Sequence, residues 1–305
     1  AERPGEVPLF MAFSQDSPLL TVTTGPAPDA PGSEMTLLFF DRATGASLGP
    51  APTGGVMETI LHLHTDMLLG LPGMLFLGVM GLSFVVALIS GTVLYAPFMR
   101  KLEFGTLRLN RSKRLKWLDY HNLLGIVALV WMSVVGLTGV VNTLAVPLLE
   151  VWQNDSLADL TEEFSGSPVA TELSSVQAAV DRARAEAPGA WVQFVAFPGG
   201  GWSTDYHMSV FIRGDTPVTS HMTTPVLIEA ESGAFAGMRE MPWYMKALAL
   251  SGPLRFGDYG GMPLKIIWAL LDLATIIILG TGLYLWLVRA RRPNMIPERM
   301  LEPAE

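Results

Sequence analysis

The sequence contains no cysteine. Disulfides, thiol catalysis, Cys-ligated iron–sulfur clusters and covalent c-type haem attachment are therefore excluded. Basic residues are also scarce, with 20 Lys and Arg against 28 Asp and Glu and a net charge of −8. That balance argues against nucleic acid as a partner, because phosphate-backbone binding draws on clustered Lys and Arg. The third shortage is charge of either sign over long distances. Residues 67–99 and 120–149 contain no Asp, Glu, Lys or Arg, and residues 266–288 contain only Asp272. About 20 apolar residues cross a bilayer. Three transmembrane helices are expected, so the lipid bilayer is the first partner.

The basic residues that do occur are placed unevenly. Residues 100–116 hold seven Lys or Arg and one acid, and Arg289, Arg291 and Arg292 follow the last apolar run. Two Arg face eight acids before the first apolar run, and seven basic residues face fourteen acids over residues 150–265. By the positive-inside rule, the short loop and the C-terminal tail are cytoplasmic. The N-terminal segment and the large middle segment are then outside.

The chain also repeats itself. Its opening thirteen residues, AERPGEVPLFMAF, share seven identities with AEAPGAWVQFVAF at residues 185–197. Residues 39–49 and 227–237 are similar again, each a strand-like run ending in an acidic-x-x-Thr/Ser-Gly turn. A membrane helix follows each copy, one ending Ser90-Gly91-Thr92 and the other Gly280-Thr281-Gly282. The second copy is preceded by an amphipathic helix over residues 174–186, with a Ser N-cap and Val176, Ala179, Val180 and Ala183 at helical spacing. The first copy lacks it, so the repeat predicts such a helix, and a fourth membrane helix, ahead of residue 1. The expected fold class is an α-helical integral membrane protein with two external α+β domains and an internal two-fold repeat. The expected organisation is a partial external domain (1–60), an out-to-in helix (61–99), a basic cytoplasmic loop (100–116) and an in-to-out helix (117–149). A second external domain (150–253), an out-to-in helix (254–289) and a cytoplasmic tail (290–305) complete it.

Three stretches carry a family resemblance. They are Leu63-His64 through Gly70 and Gly73, Tyr120-His121 through Gly125 with Thr138-Gly139, and Leu254-Arg255-Phe256-Gly257 with Gly260-Gly261. In order and spacing they resemble the PepSY-associated transmembrane proteins, the iron-regulated membrane proteins of bacteria. The resemblance implies two periplasmic PepSY domains, four helices, an inner-membrane location and b-type haem held by helix histidines. In some members it implies reduction of ferric siderophores. The family histidine before the last helix is Arg255 here.

Of five histidines, His207 and His221 fall in the external segment and read as solvated or satisfied surface residues. His64 and His121 stand at helix mouths on opposite membrane faces, about 30 Å apart, so one haem iron cannot take both. The resemblance makes each a candidate haem ligand. His62, two residues from His64, points to another helix face. Arg255 cannot ligate a metal because it stays protonated. It reads as a helix-end cap, a holder of a propionate or lipid phosphate, or an exposed cation. Asp272 lies inside an apolar run, where acids are costly and often functional; its structural alternative is pairing with Lys265 or a neighbouring subunit.

Two functions stand against each other. One is a b-haem protein that carries electrons across the membrane, toward a ferric chelate outside. The other is a haem-free relative that serves as an accessory or scaffolding subunit of a larger membrane complex.

Overall fold

Alternating apolar residues with Gly-containing turns between them make eight strands. They are Val7–Phe13 (β1), Leu19–Gly25 (β2), Thr36–Asp41 (β3), Ser47–Pro50 (β4), Trp191–Ala196 (β5), His207–Arg213 (β6), Thr223–Glu229 (β7) and Phe235–Met238 (β8). The computed structural model describes residues 3–14, 17–99, 105–164, 170, 172–216 and 218–290. Residues 1–2, residues 100–104 of the expected basic loop and residues 291–305 of the expected tail lie outside the described residues. Two units can be distinguished, residues 1–77 with 141–253, and residues 78–140 with 254–305.

The first unit holds all eight strands in one antiparallel sheet of order β4-β3-β2-β1-β5-β6-β7-β8. Residues expected to form two external domains thus supply the two halves of one sheet, joined where Met11 faces Val195. The halves share local detail. The β1–β2 register shifts between Pro8 and Phe10, and the β5–β6 register shifts between Val192 and Phe194, at aligned positions of the two segments. The β3–β4 and β7–β8 ladders shift at Phe39/Phe40 and Leu227/Ile228, also aligned. Gly45 (φ 70°) donates its N–H to the Asp41 carbonyl at 2.8 Å, and Gly233 (φ 72°) donates to the Glu229 carbonyl at 2.9 Å. Both turns need a left-handed residue, and glycine adopts that conformation without a steric penalty.

The second half of the sheet is the better covered. Val176–Glu186 (α6), capped by the Ser175 hydroxyl on the Ala178 N–H, buries Ala179, Val180 and Ala183. They pack against Val195, Met208, Val210 and Val226 on one face. On the other face, Trp152 at the end of Ala145–Trp152 (α4) and Met245 in Trp243–Phe256 (α7) close over Phe211 and Leu227. The short Ala158–Leu160 (α5) adds Leu160. Phe211 stacks on Phe194 with centroids 4.2 Å apart and planes 10° apart.

His207 is fully buried at the start of β6, not at the surface. Its Nδ1 lies 2.6 Å from the Thr204 hydroxyl, its ring meets Phe164 edge-on at 4.5 Å, and its Nε2 has no hydrogen-bond partner among the described residues. Burial holds its pKa below the ordinary 6.5, against the opposing charge of Glu229. The folded state therefore resists a proton that the unfolded chain accepts near pH 6.5. Stability is full above that pH and falls as pH drops through it, by up to about 1.4 kcal/mol per pH unit. Urea unfolding of the purified chain at pH 7.5 and 5.5 should show the acid loss, and His207→Gln should flatten it.

The second unit contains the long helices Leu71–Met99 (α2), Lys113–Thr143 (α3) and Gly261–Ala290 (α8) over most of their lengths. Three spans, Leu71–Pro97, Lys113–Thr143 and Asp258–Arg289, are long and apolar enough to cross a membrane. Ala128, Trp131, Met132 and Ile278 form the buried centre, with Phe84 and Leu88 against them. Helices without charged faces associate in lipid by close packing, which small residues permit. A Cβ at Gly136 would stand 3.1 Å from the Phe84 ring, and one at Gly81 would stand 2.8 Å from Val140. Trp131 and Trp268 pack edge to face at 6.5 Å, so each finds the neighbouring helix.

Candidate functional site

His121 enters α3 two turns after its start. The helix mouth is fixed by an ion pair. Asp119, 5% exposed at its side chain, accepts from Arg108 Nη2 at 2.6 Å, Nε at 3.0 Å and the Arg108 backbone N–H at 2.9 Å. This contact pins the basic loop to the first turns of α3 and sets the height of His121. Gly282 lets α8 come close: a Cβ there would stand only 3.3 Å from His121 Cε1.

The His121 ring is held by α8. Nδ1 lies 3.1 Å from the Ile278 carbonyl oxygen and 3.1 Å from Thr281 Oγ1. A carbonyl only accepts, so Nδ1 carries the hydrogen. Thr281 spends its own proton on the Ile277 and Ile278 carbonyls at 2.9 Å. Its oxygen is thereby left to accept from the imidazole. In the neutral ring the lone pair then sits on Nε2. A metal-ligating imidazole is held this way, with one nitrogen donating to a carbonyl and the other turned to the metal.

Beside His121 lies a cavity of about 350 Å³ between α2, α3 and α8. Its walls are mainly aliphatic and aromatic, with Thr92, Tyr95, Asn122 and Thr275 as polar points beside His121. Gly91 and Gly125 line it and have nothing within 4 Å of where a Cβ would stand. They leave flat wall where a larger residue would project. An apolar slot with bare backbone on two sides and one imidazole whose tautomer is fixed suits a planar metal macrocycle. The residues present therefore fit a b-type haem.

Arg255 and Asp272 come together elsewhere in the same unit. Arg255 ends α7, is half-buried and feels the Asp272 charge. Its guanidinium covers Gly139, where a Cβ would stand 2.6 Å from Nη1. Lys265, one of the alternatives for pairing with Asp272, pairs with Asp258 at 2.7 Å. Together with Phe256 and Trp268 these four charges line a shallow depression.

His62 and His64 lie on Val56–Thr65 (α1) and line neither the His121 cavity nor the depression at Arg255. His62 stands between Glu58 at 4.0 Å and Asp66 at 3.5 Å. His64 is exposed two residues on.

Comparison with known proteins points one way. A family described as PepSY-associated TM region matches residues 3–289. The uncharacterized protein PA4219 of Pseudomonas aeruginosa is 24% identical over 253 residues, covering 76% of this chain and 64% of its own length. The chain thus spans somewhat less than two thirds of that relative.

Proposed function

The chain belongs to the PepSY-associated transmembrane family, and from that premise we propose that it is a b-haem protein of the bacterial inner membrane that carries electrons across it. The observation that carries this reading is the His121 ring, held at Nδ1 by Ile278 and Thr281 with Nε2 left beside an apolar cavity. A haem bound there would supply one-electron transfer. The chain's own part is to fix the tautomer through the Ile278 carbonyl, bar water with aliphatic walls, and admit the macrocycle at Gly91 and Gly125.

Besides Tyr95, the cavity wall carries one thioether, that of Met132. It stands eleven residues farther along α3, about 16 Å by helical rise, too far to share the iron with His121. The matching bulges and turns of β1–β4 and β5–β8 support two copies of one PepSY-like unit. In this reading the sheet is periplasmic, the C-terminus is cytoplasmic, and a ferric chelate such as a siderophore is the acceptor.

The second reading, a haem-free accessory subunit of a membrane complex, is favoured by one observation. At the position where the family carries the outer histidine, Arg255 lies over Gly139 with its charge against Asp272. Sealed vesicles holding the purified chain separate the readings. With dithionite trapped inside and ferricyanide outside, steady bleaching above empty vesicles supports the carrier. Bound haem without bleaching would favour the accessory role.

A further inference from the structure

Val56–Thr65 is a ten-residue helix with no buried residue. Its side chains are nonetheless sorted. At about 100° per residue, Val56, Met57, Ile60, Leu61, Leu63 and His64 share one side. Glu58, Thr59, His62 and Thr65 share the other. The polar side is self-satisfied: Glu58 accepts from the Gly54 N–H at the helix start, and His62 meets Glu58 and Asp66. The apolar side is bare, with Met57 76%, Leu61 57% and Ile60 52% exposed. A helix this short does not persist alone in water, and its stability comes from what its apolar face packs on.

The chain around it says where that face sits. Only residues 66–70 separate α1 from Leu71, where the first membrane span begins. Five residues reach at most about 17 Å. Here they reach less, because the segment is folded back. Met67 (φ 55°), Leu68 (φ 60°) and Gly70 (φ 62°) are all left-handed. Asp66 Oδ1 accepts the Leu68 N–H at 2.8 Å, and the Asp66 carbonyl accepts the Leu69 N–H at 3.0 Å. Gly73, in the first turn of α2, lies so close that a Cβ there would stand 1.7 Å from the Asp66 oxygen. The end of α1 is thus tied to the head of a membrane span, at the depth of the headgroup layer. Leu68 and Leu69, exposed in the same turn, extend the apolar strip to the span itself.

We propose that α1 lies in the lipid–water interface, with Met57, Ile60 and Leu61 in the acyl boundary and Glu58 and His62 toward water. The helix contains no Lys or Arg, so its attraction is to apolar depth and not to anionic headgroups. His64, on the apolar side, then sits at the lipid boundary. The proposal rests on the membrane span and not on haem.

The absence of cysteine makes the test direct. Single cysteines at Met57, Glu58, Ile60, Leu61 and His62 of the whole chain are labelled with the environment-sensitive fluorophore NBD, in phosphatidylcholine nanodiscs. Expected are blue-shifted emission and quenching by shallow spin-labelled lipid at 57, 60 and 61, with iodide quenching at 58 and 62. Iodide quenching at 57, 60 and 61 would overturn the proposal. So would protection of those three sites from both quenchers, which would mean that a second copy or another protein segment covers the face. The contrast between 57, 60 and 61 and the polar sites 58 and 62 reports the helix itself, because an unfolded segment would show iodide quenching at all five.

Discussion

Replacing His121 by alanine is expected to strip the visible haem spectrum from the purified chain while leaving its yield and helicity unchanged. The side chain is half-buried, and among the described residues its hydrogen bonds are made by Nδ1. Its removal enlarges a cavity that exists already and leaves no charge behind. Thr281→Ala is the finer probe. It removes one of the two oxygens that hold Nδ1 and leaves the Ile278 carbonyl in place. Loss of such an outer partner typically costs about 10–100-fold in metal affinity. Haem titration should therefore rank wild type above Thr281→Ala, and Thr281→Ala above His121→Ala. Equal affinity for wild type and His121→Ala would move the haem elsewhere.

The second large effect is expected at Arg108. Its fork and backbone together give Asp119 three hydrogen bonds, and the carboxylate is almost completely covered. Arg108 is 31% exposed, and removing its side chain leaves the covered carboxylate with the backbone N–H alone, at about 1–3 kcal/mol. Arg108→Ala should lower the denaturation midpoint in detergent by a corresponding amount. Adding Asp119→Asn should recover part of that loss, because the two sites share one interaction and their costs do not add. Since Asp119 lies two residues before His121, haem affinity should fall in Arg108→Ala and rise again in the double variant. A purely additive pair would mean that the contact does not hold the helix mouth.

What could be read from the sequence divides along physical lines. The three spans were legible because a bilayer forbids charge over about 20 residues, and a lone Asp272 in such a run stands out. The Gly45 and Gly233 turns were legible because a left-handed residue selects glycine. Pairings between distant strands leave no such trace. Nothing in the period of β1 or β5 announces that the two halves would share one sheet through Met11 and Val195. The burial of His207 was hidden for a similar reason, since its ring is covered by Phe164, 43 residues earlier in the chain. In the candidate site, His121 was visible through its place at a helix mouth and the family motif. Its partners Ile278 and Thr281 lie about 160 residues away. In the sequence the Gly280-Thr281-Gly282 run reads as the end of a repeat and not as a clamp. Asp119 gave a weaker sign, an isolated acid after a run of Lys and Arg. The Arg255–Asp272 approach could not be read, because Lys265 offered the nearer partner in sequence and proved to be taken by Asp258.

The most direct test of the central claim is the reduced-minus-oxidised visible spectrum of the purified wild-type chain, with pyridine haemochrome quantitation against protein. A b-type spectrum at about one haem per chain is expected, because the His121 imidazole, held at Nδ1, lines a cavity that can take it. A spectrum without haem, from protein supplied with haem during expression, would contradict it and leave the accessory-subunit reading in its place.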